Sequence, residues 1–198
     1  MSKKGRIFGS LIRVKPEYEE KYIILHNNTF PGVIKRIKQS HIRNYSIFIL
    51  NGMLFSYFEY IGRDYKADMD KMAQDNTTQK WWKLTDQMQE PLEWRKKGEW
   101  WAEIEEVFRF QKSASLLKNT KRFAFCKEID SANADNLNKT EGISAFDIQN
   151  LTIFSEKRNF YAYIECGLDI VEIKAVLKKF FPLEPSICWH SMKEIFHI

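Results

Sequence analysis

The sequence predicts an α+β fold: two tandem ferredoxin-like units of the order β-α-β-β-α-β, the second degenerate. Three observations carry this. Strand-type and helix-type stretches alternate in that order through the first 110 residues. The dipeptide Asn51-Gly52, the strongest short hairpin signal, sits between two β-type runs. The pattern of residues 42–59 returns at 148–165 with the same spacing of 106 throughout.

RIFGSLIRV, residues 6–14, is rich in β-branched and apolar residues and reads as the first strand. Pro16 suits the first turn of a helix, and Glu17, Glu19 and Glu20 sit near its positive end. That helix is expected to run to about His26. Phe30 precedes Pro31 and is pushed out of the α region, so the helix breaks there. Val33, Ile34 and Ile37 have helical spacing and predict a second helix over 31–39. Residues 42–60 form the hairpin. A helical region over 64–89 follows, ending before Pro91 and carrying Trp81 and Trp82. EWWAEIEEVFRF, 99–110, closes the unit as a strand.

The second half repeats the plan in shorter form. Ile42/Ile148, Asn44/Asn150, Ile47/Ile153, Phe48/Phe154, Tyr57/Tyr163 and Glu59/Glu165 are identical pairs. RFAFCKEI at 122–129 takes the place of the first strand, LDIVEIKAVLKKFF at 168–181 is the second helix, and WHSMKEIF at 189–196 matches WAEIEEVF at 101–108. The first helix of this copy is reduced to the polar stretch SANADNLNKTEGISAF. The units are placed at 1–112 and 120–198, separated by QKSASLLKNT. A four-stranded sheet with helices on one face leaves the other bare. Packing two bare faces together makes a pseudo-dimer within one chain, the arrangement that dimeric α/β barrels reach with two chains.

With 44% apolar and 15% aromatic residues the chain can bury a substantial core. It has no run of about 18 apolar residues, so no membrane span is expected, and its first residues lack the apolar segment of a secretory signal. Cys126, Cys166 and Cys188 are an odd number at no metal-like spacing, which predicts reduced thiols and a cytoplasmic protein. The net charge of +5 is spread among acids, with short basic patches only. It reads as a solvated surface, and no nucleic-acid partner is expected.

Tyr18, Tyr22 and His26 share one helical stripe. Spacing alone leaves two readings of His26, a satisfied core histidine or the chemical centre. Tyr45, on the strand before the Asn-Gly turn, shares its face with Ile47. The Trp81-Trp82 pair is either a core anchor or a platform for the C–H faces of a sugar, although adjacent residues on a helix cannot face the same way. No HxxxH, HExxH or CxxC occurs, and no GxGxxG, GxxxxGK[ST] or G-x-S-x-G. Chemistry without metal or cofactor is expected.

The first unit resembles the L-rhamnose mutarotase family. The resembling pieces are the tyrosine and histidine four apart in KYIILHNNTFP, the RNYSIFILNGMLFSYFE hairpin, the QKWW segment and the EEVFRF strand, within residues 5–110. The resemblance implies an enzyme that interconverts the α and β anomers of a 6-deoxy sugar, L-rhamnose or L-fucose, without a cofactor. It implies His26 and Tyr22 as catalytic residues, with Tyr45, Trp81, Trp82 and Asn27 as substrate contacts. Where the family usually has tryptophan before the proline and glutamate after it, this chain has Phe30 and Gly32. The second copy has Leu151 in place of Tyr45 and no Tyr/His pair, so one site is expected, taking a monosaccharide, in a monomeric pseudo-dimer whose further assembly stays open. Three other readings compete: a non-catalytic sugar-binding or sensing protein, a cofactor-free α/β-barrel monooxygenase, and a ferredoxin-like RNA binder. The last needs an exposed sheet, which the repeat argues against.

Overall fold

Strand β1 (Arg6–Val14) pairs antiparallel along its length with β3 (Met53–Tyr60), and β3 pairs back onto β2 (Ile42–Leu50). The hairpin forms where the Asn-Gly signal predicts. Asn51 and Gly52 both have positive φ, 49° and 73°, as a two-residue hairpin turn matched to strand twist requires. Asn44 also has positive φ, 51°, within the register shift between Arg43 and Ser46. This computed structural model describes residues 5–112, 120–128, 142–181 and 189–198. The chain divides into two units, Met1–Glu103 with Glu194–Ile198, and Ile104–Lys193.

In the first unit, helices α1 (Glu19–Asn27) and α2 (Pro31–Gln39) connect β1 to β2. Phe30 is extended (φ −55°, ψ 128°), as its place before Pro31 demands. The helical region expected over 64–89 consists of two helices, α3 (Tyr65–Ala73) and α4 (Asn76–Thr85), then a 3-10 turn at Asp86–Met88 and a short strand β4 (Gln89–Glu90). The reason is capping. The Asp75 carboxylate accepts the Thr78 N–H at 2.8 Å and the Thr78 hydroxyl at 2.9 Å, which starts a fresh helix. Gln89 leaves the helical path to pair with Val14 of β1.

Sheet order in this unit is β2-β3-β1-β4. Tyr45 and Ile198 exchange two backbone hydrogen bonds, at 3.2 and 3.0 Å, so the last residues of the chain run beside β2. Phe8, Ile12 and Leu54 form one buried cluster with Val33 and Ile37 of α2. Leu11, Phe48, Phe55 and Tyr57 are also buried. Gly32 has a packing role: a Cβ there would lie 2.8 Å from Thr77 Cγ2, so glycine lets the start of α2 approach α4.

The second unit holds β5 (Ala102–Gln111, from Ile104 onward), β6 (Lys121–Glu128), β7 (Ile148–Glu156), β8 (Asn159–Cys166), α5 (Ile170–Phe180) and the start of β9 (His190–His197). Antiparallel pairing gives the order β5-β7-β8-β6-β9. The strand expected over 99–110 starts at Ala102. Before it, the Glu99 carboxylate accepts the backbone N–H groups of Lys96 and Glu103, holding a turn. A capping box of Asp169 and Glu172 starts α5. Ile173, Val176 and Leu177 of this helix cluster with Leu151, Ile153 and Ala162. The polar stretch expected to replace a helix lies outside the described residues over 131–141, as do 113–119 of the expected linker.

Each unit repeats one detail of the other. Tyr57 donates to Glu59 at 3.2 Å in the first, and Tyr163 donates to Glu165 at 3.0 Å in the second. No helix among the described residues is long and apolar enough to cross a membrane.

Candidate functional site

Tyr22 and His26 lie one turn apart on α1, and their rings stack with centroids 4.0 Å apart. Both are buried. His26 is enclosed by other aromatic rings as well, Trp81 edge-on at 5.1 Å and Phe196 at 6.1 Å. Its Nδ1 lies 3.0 Å from the backbone carbonyl of Tyr22. A carbonyl only accepts, so Nδ1 carries the proton and Nε2 is left with a lone pair. Burial favours the neutral ring and lowers the pKa to about 4, against a smaller opposing effect of the carbonyl. The C-terminal end of α1 is held by Thr29, whose hydroxyl donates to the His26 carbonyl at 2.8 Å.

The Tyr22 hydroxyl accepts a hydrogen bond from Gln89 Nε2 at 2.8 Å. Burial, and next the neighbouring Tyr45, push the Tyr22 phenol well above its ordinary pKa, while the Gln89 bond opposes this. Tyr45 is flanked edge-on by Phe58 and Phe196, at 5.5 and 5.4 Å. Burial raises its phenol too. Both tyrosines therefore keep their protons at neutral pH and act as donors.

These groups line one cavity of about 350 Å³, within the range of ~300–1,000 Å³ common for small-molecule sites. Tyr22, His26, Tyr45, Trp81 and Trp82 are all on its wall. Ile47 lies beside Tyr45 on the same face. As neighbours on a helix, the two tryptophans face different ways. Trp81 is buried and Trp82 is exposed, yet both reach the cavity from α4, so Trp82 contributes from the rim. Asn27 does not join them. It is exposed and lines a separate pocket with His26, Asn28, Thr29 and residues 194–197.

The cavity also contains residues that sequence reasoning passed over. Thr85 comes from the last turn of α4, Asp86 from the 3-10 turn after it, Gln89 from β4, and Trp100 and Trp101 from the loop before β5. Burial raises the Asp86 carboxyl. The missed signal was in the sequence: EWW at 99–101 places two tryptophans where a strand was read. Phe30 stands edge-on to Trp81 at 5.2 Å. Among the described residues no group of three or more His, Cys, Asp or Glu is placed to hold a metal ion.

The wall thus offers one unprotonated nitrogen, two phenol donors, a half-buried carboxyl and several indole faces. It suits a neutral polyol with apolar C–H faces, and it can remove a proton at one point while donating one at another.

Comparison with known proteins agrees on the same stretch of chain. The family model for L-rhamnose mutarotase matches residues 8–110, just over half of the 198 residues. The L-rhamnose mutarotase of Oceanobacillus iheyensis is 33% identical over 76 residues, which is 38% of this chain and 72% of that protein. The one from Listeria monocytogenes serovar 1/2a is 34% identical over 74 residues, 37% of this chain and 70% of that protein. Among solved structures, a candidate monooxygenase from Fusobacterium nucleatum aligns over 100% of this chain and 95% of its own, with a TM-score of 0.51 and 12% identity. A second, from Lactobacillus acidophilus, aligns over 98% of this chain and 99% of its own, with a TM-score of 0.51 and 10% identity. At such identities the likeness is one of fold: an α+β arrangement of antiparallel strands and helices.

Proposed function

Because this chain belongs to the L-rhamnose mutarotase family, we propose that it catalyses mutarotation, opening the pyranose ring of a 6-deoxy hexose and reclosing it on the other face. L-rhamnose is the first substrate to try and L-fucose the second. The observation that carries the reading is the pairing of a tautomer-fixed, neutral His26 with the protonated Tyr22 on the wall of one sugar-sized cavity.

Ring opening needs a base at the anomeric hydroxyl and a donor at the ring oxygen. His26 Nε2 takes the proton from O1. The freed electron pair forms the C1–O1 double bond, and the bond from C1 to the ring oxygen breaks. The ring oxygen takes its proton from Tyr22. The open aldehyde turns about C1–C2, and the steps run backwards: imidazolium returns a proton to O1, and Tyr22 recovers its own. While the ring is open, the positive charge on His26 and the negative charge on Tyr22 sit on rings stacked 4.0 Å apart, where they stabilise one another. Tyr45 holds a sugar hydroxyl, the indoles of Trp81 and Trp82 cover the C–H faces, and Asp86 accepts from a further hydroxyl. Asn27, turned to the other pocket, has no part in this reading.

The rest of the chain is read as a second, shortened copy of the same plan, making the protein a built-in pseudo-dimer with a single site. The matching Tyr-Glu hydrogen bonds support a common origin of the two hairpins. A cytoplasmic location goes with this reading.

The test is saturation-transfer proton NMR on L-rhamnose and L-fucose, with wild type and His26→Ala. Acceleration by wild type, lost in the variant, is the expected result. Binding without acceleration in wild type would overturn it in favour of a sugar-binding protein.

A further inference from the structure

The Tyr22 hydroxyl belongs to a chain of three groups. Gln89 Nε2 lies 2.8 Å from it, and Gln89 Oε1 lies 2.7 Å from the indole Nε1 of Trp100. The two ends of a carboxamide are alike in shape and opposite in chemistry. An indole N–H only donates, so Trp100 requires the oxygen of Gln89 to face it. The NH₂ then faces Tyr22, and an amide NH₂ also only donates. Tyr22 must accept there, and its single proton is directed elsewhere. Among the described residues its hydroxyl has no other hydrogen-bond partner, and the open direction is the cavity that Tyr22 lines.

Gln89 is well placed to impose this order. It is buried, and its backbone is fixed by pairing with Val14. Trp100 approaches from the loop before β5, and its ring also lines the cavity. We propose that Gln89, oriented by Trp100, is a positioning residue that aims the Tyr22 proton into the cavity as a donor to the sugar ring oxygen. Gln89 acts a second time as the ring opens. The proton leaves Tyr22, negative charge gathers on the phenol oxygen, and the Gln89 N–H already points at it, as oxyanion donors do. The inference rests on the mutarotase reading for its consequence, but the hydrogen-bond direction stands on geometry alone.

The deciding variant is Gln89→Glu, almost the same in shape. A carboxylate accepts from Trp100 and from Tyr22, so it turns the Tyr22 proton out of the cavity. Anomer exchange at pH 7.5 is expected to fall about 100-fold, the scale of a lost proton-transfer group, with KM for the sugar little changed. As pH falls through the pKa of the new carboxyl, its acid form regains a proton to donate, and the rate of the variant rises while wild type does not. The double variant Gln89→Glu/Tyr22→Phe should be no slower than Tyr22→Phe. A uniform loss at every pH, a loss confined to KM, or additive losses in the double variant would overturn the proposal.

A second measurement needs no activity. In ¹⁵N-labelled protein the Gln89 carboxamide protons should show nuclear Overhauser contacts to the Tyr22 ring, and the Trp100 indole proton should exchange slowly, even in Tyr22→Phe. Carboxamide protons found against Trp100 instead would refute the assigned direction. If wild type fails to accelerate exchange, the functional reading falls, and this spectrum still decides the hydrogen-bond direction.

Discussion

The enclosure of His26 has a consequence for pH that separates it from an ordinary histidine. Burial lowers its pKa from 6.5 to about 4. In the proposed mechanism the base is the neutral ring, so exchange should be complete above that value and be lost as pH falls through it. At pH 5.5 a histidine of pKa 6.5 would be only about a tenth neutral, whereas one near 4 is almost wholly neutral. Wild-type exchange should therefore be nearly equal at pH 7.5 and 5.5, where an exposed histidine would show about a tenfold drop. The sugar has no ionisable group, and Tyr22 and Tyr45 titrate well above this window. Asp86 also faces the cavity, with a carboxyl raised by burial, so Asp86→Asn is the control and should leave the acid limb where it is. The assay is saturation transfer on L-rhamnose across pH 3.5–8, with the uncatalysed rate subtracted at each point. A half-maximum near 6.5 in both proteins would refute the argument that ring burial sets the base.

Other predictions follow from single contacts. Tyr22→Phe removes the proposed donor at the ring oxygen and should lower kcat about 100-fold with a small change in KM, read by the same exchange assay. The folded pKa of His26 lies below its unfolded value, so between about 6.5 and 4 the unfolded chain binds more protons and stability falls with pH; by pH 4 the loss is on the order of 3 kcal/mol. Urea titrations of wild type and His26→Leu across that range should show a steeper slope in wild type. Asp68 is held below the usual carboxylate range, first by the Tyr60 hydroxyl at 2.8 Å and then by His41. Its contribution is present at neutral pH and lost as pH falls through the lowered value, so the denaturation midpoints of wild type and Asp68→Asn should differ at pH 7 and converge in acid. Gly32→Ala puts a methyl 2.8 Å from Thr77 Cγ2. It should forfeit the ~0.5–1 kcal/mol that alanine normally adds in a helix and recover it when combined with Thr77→Ser. If the proposed pseudo-dimer needs no second chain, light scattering should give a particle of 23.7 kDa.

The parts of this site that could be read from sequence are those whose geometry is local. Tyr22 and His26 meet because helical residues four apart share a face, and Tyr45 joins Ile47 because strand residues two apart do. Asn51-Gly52 announced its turn through a backbone preference that belongs to those two residues. Gln89 had no such sign. Its partner Tyr22 lies 67 residues away, and helical periodicity carried smoothly past it because Asp75, the residue that restarts the helix, reads as an ordinary polar position until its bonds to Thr78 are seen. Trp100 was lost for a related reason: apolar and charged residues alternate through EWWAEIEEV, and alternation cannot reveal that Glu99 folds back to cap the turn. The family resemblance does not fill this gap, since none of the segments that carry it contains Gln89 or Trp100. What orders Tyr22 stands one bond further out, and long-range pairing of a two-residue strand decides it. A cavity whose inner ring of side chains is local in sequence and whose outer ring is not will always be half legible, and the illegible half is where the direction of its protons is set.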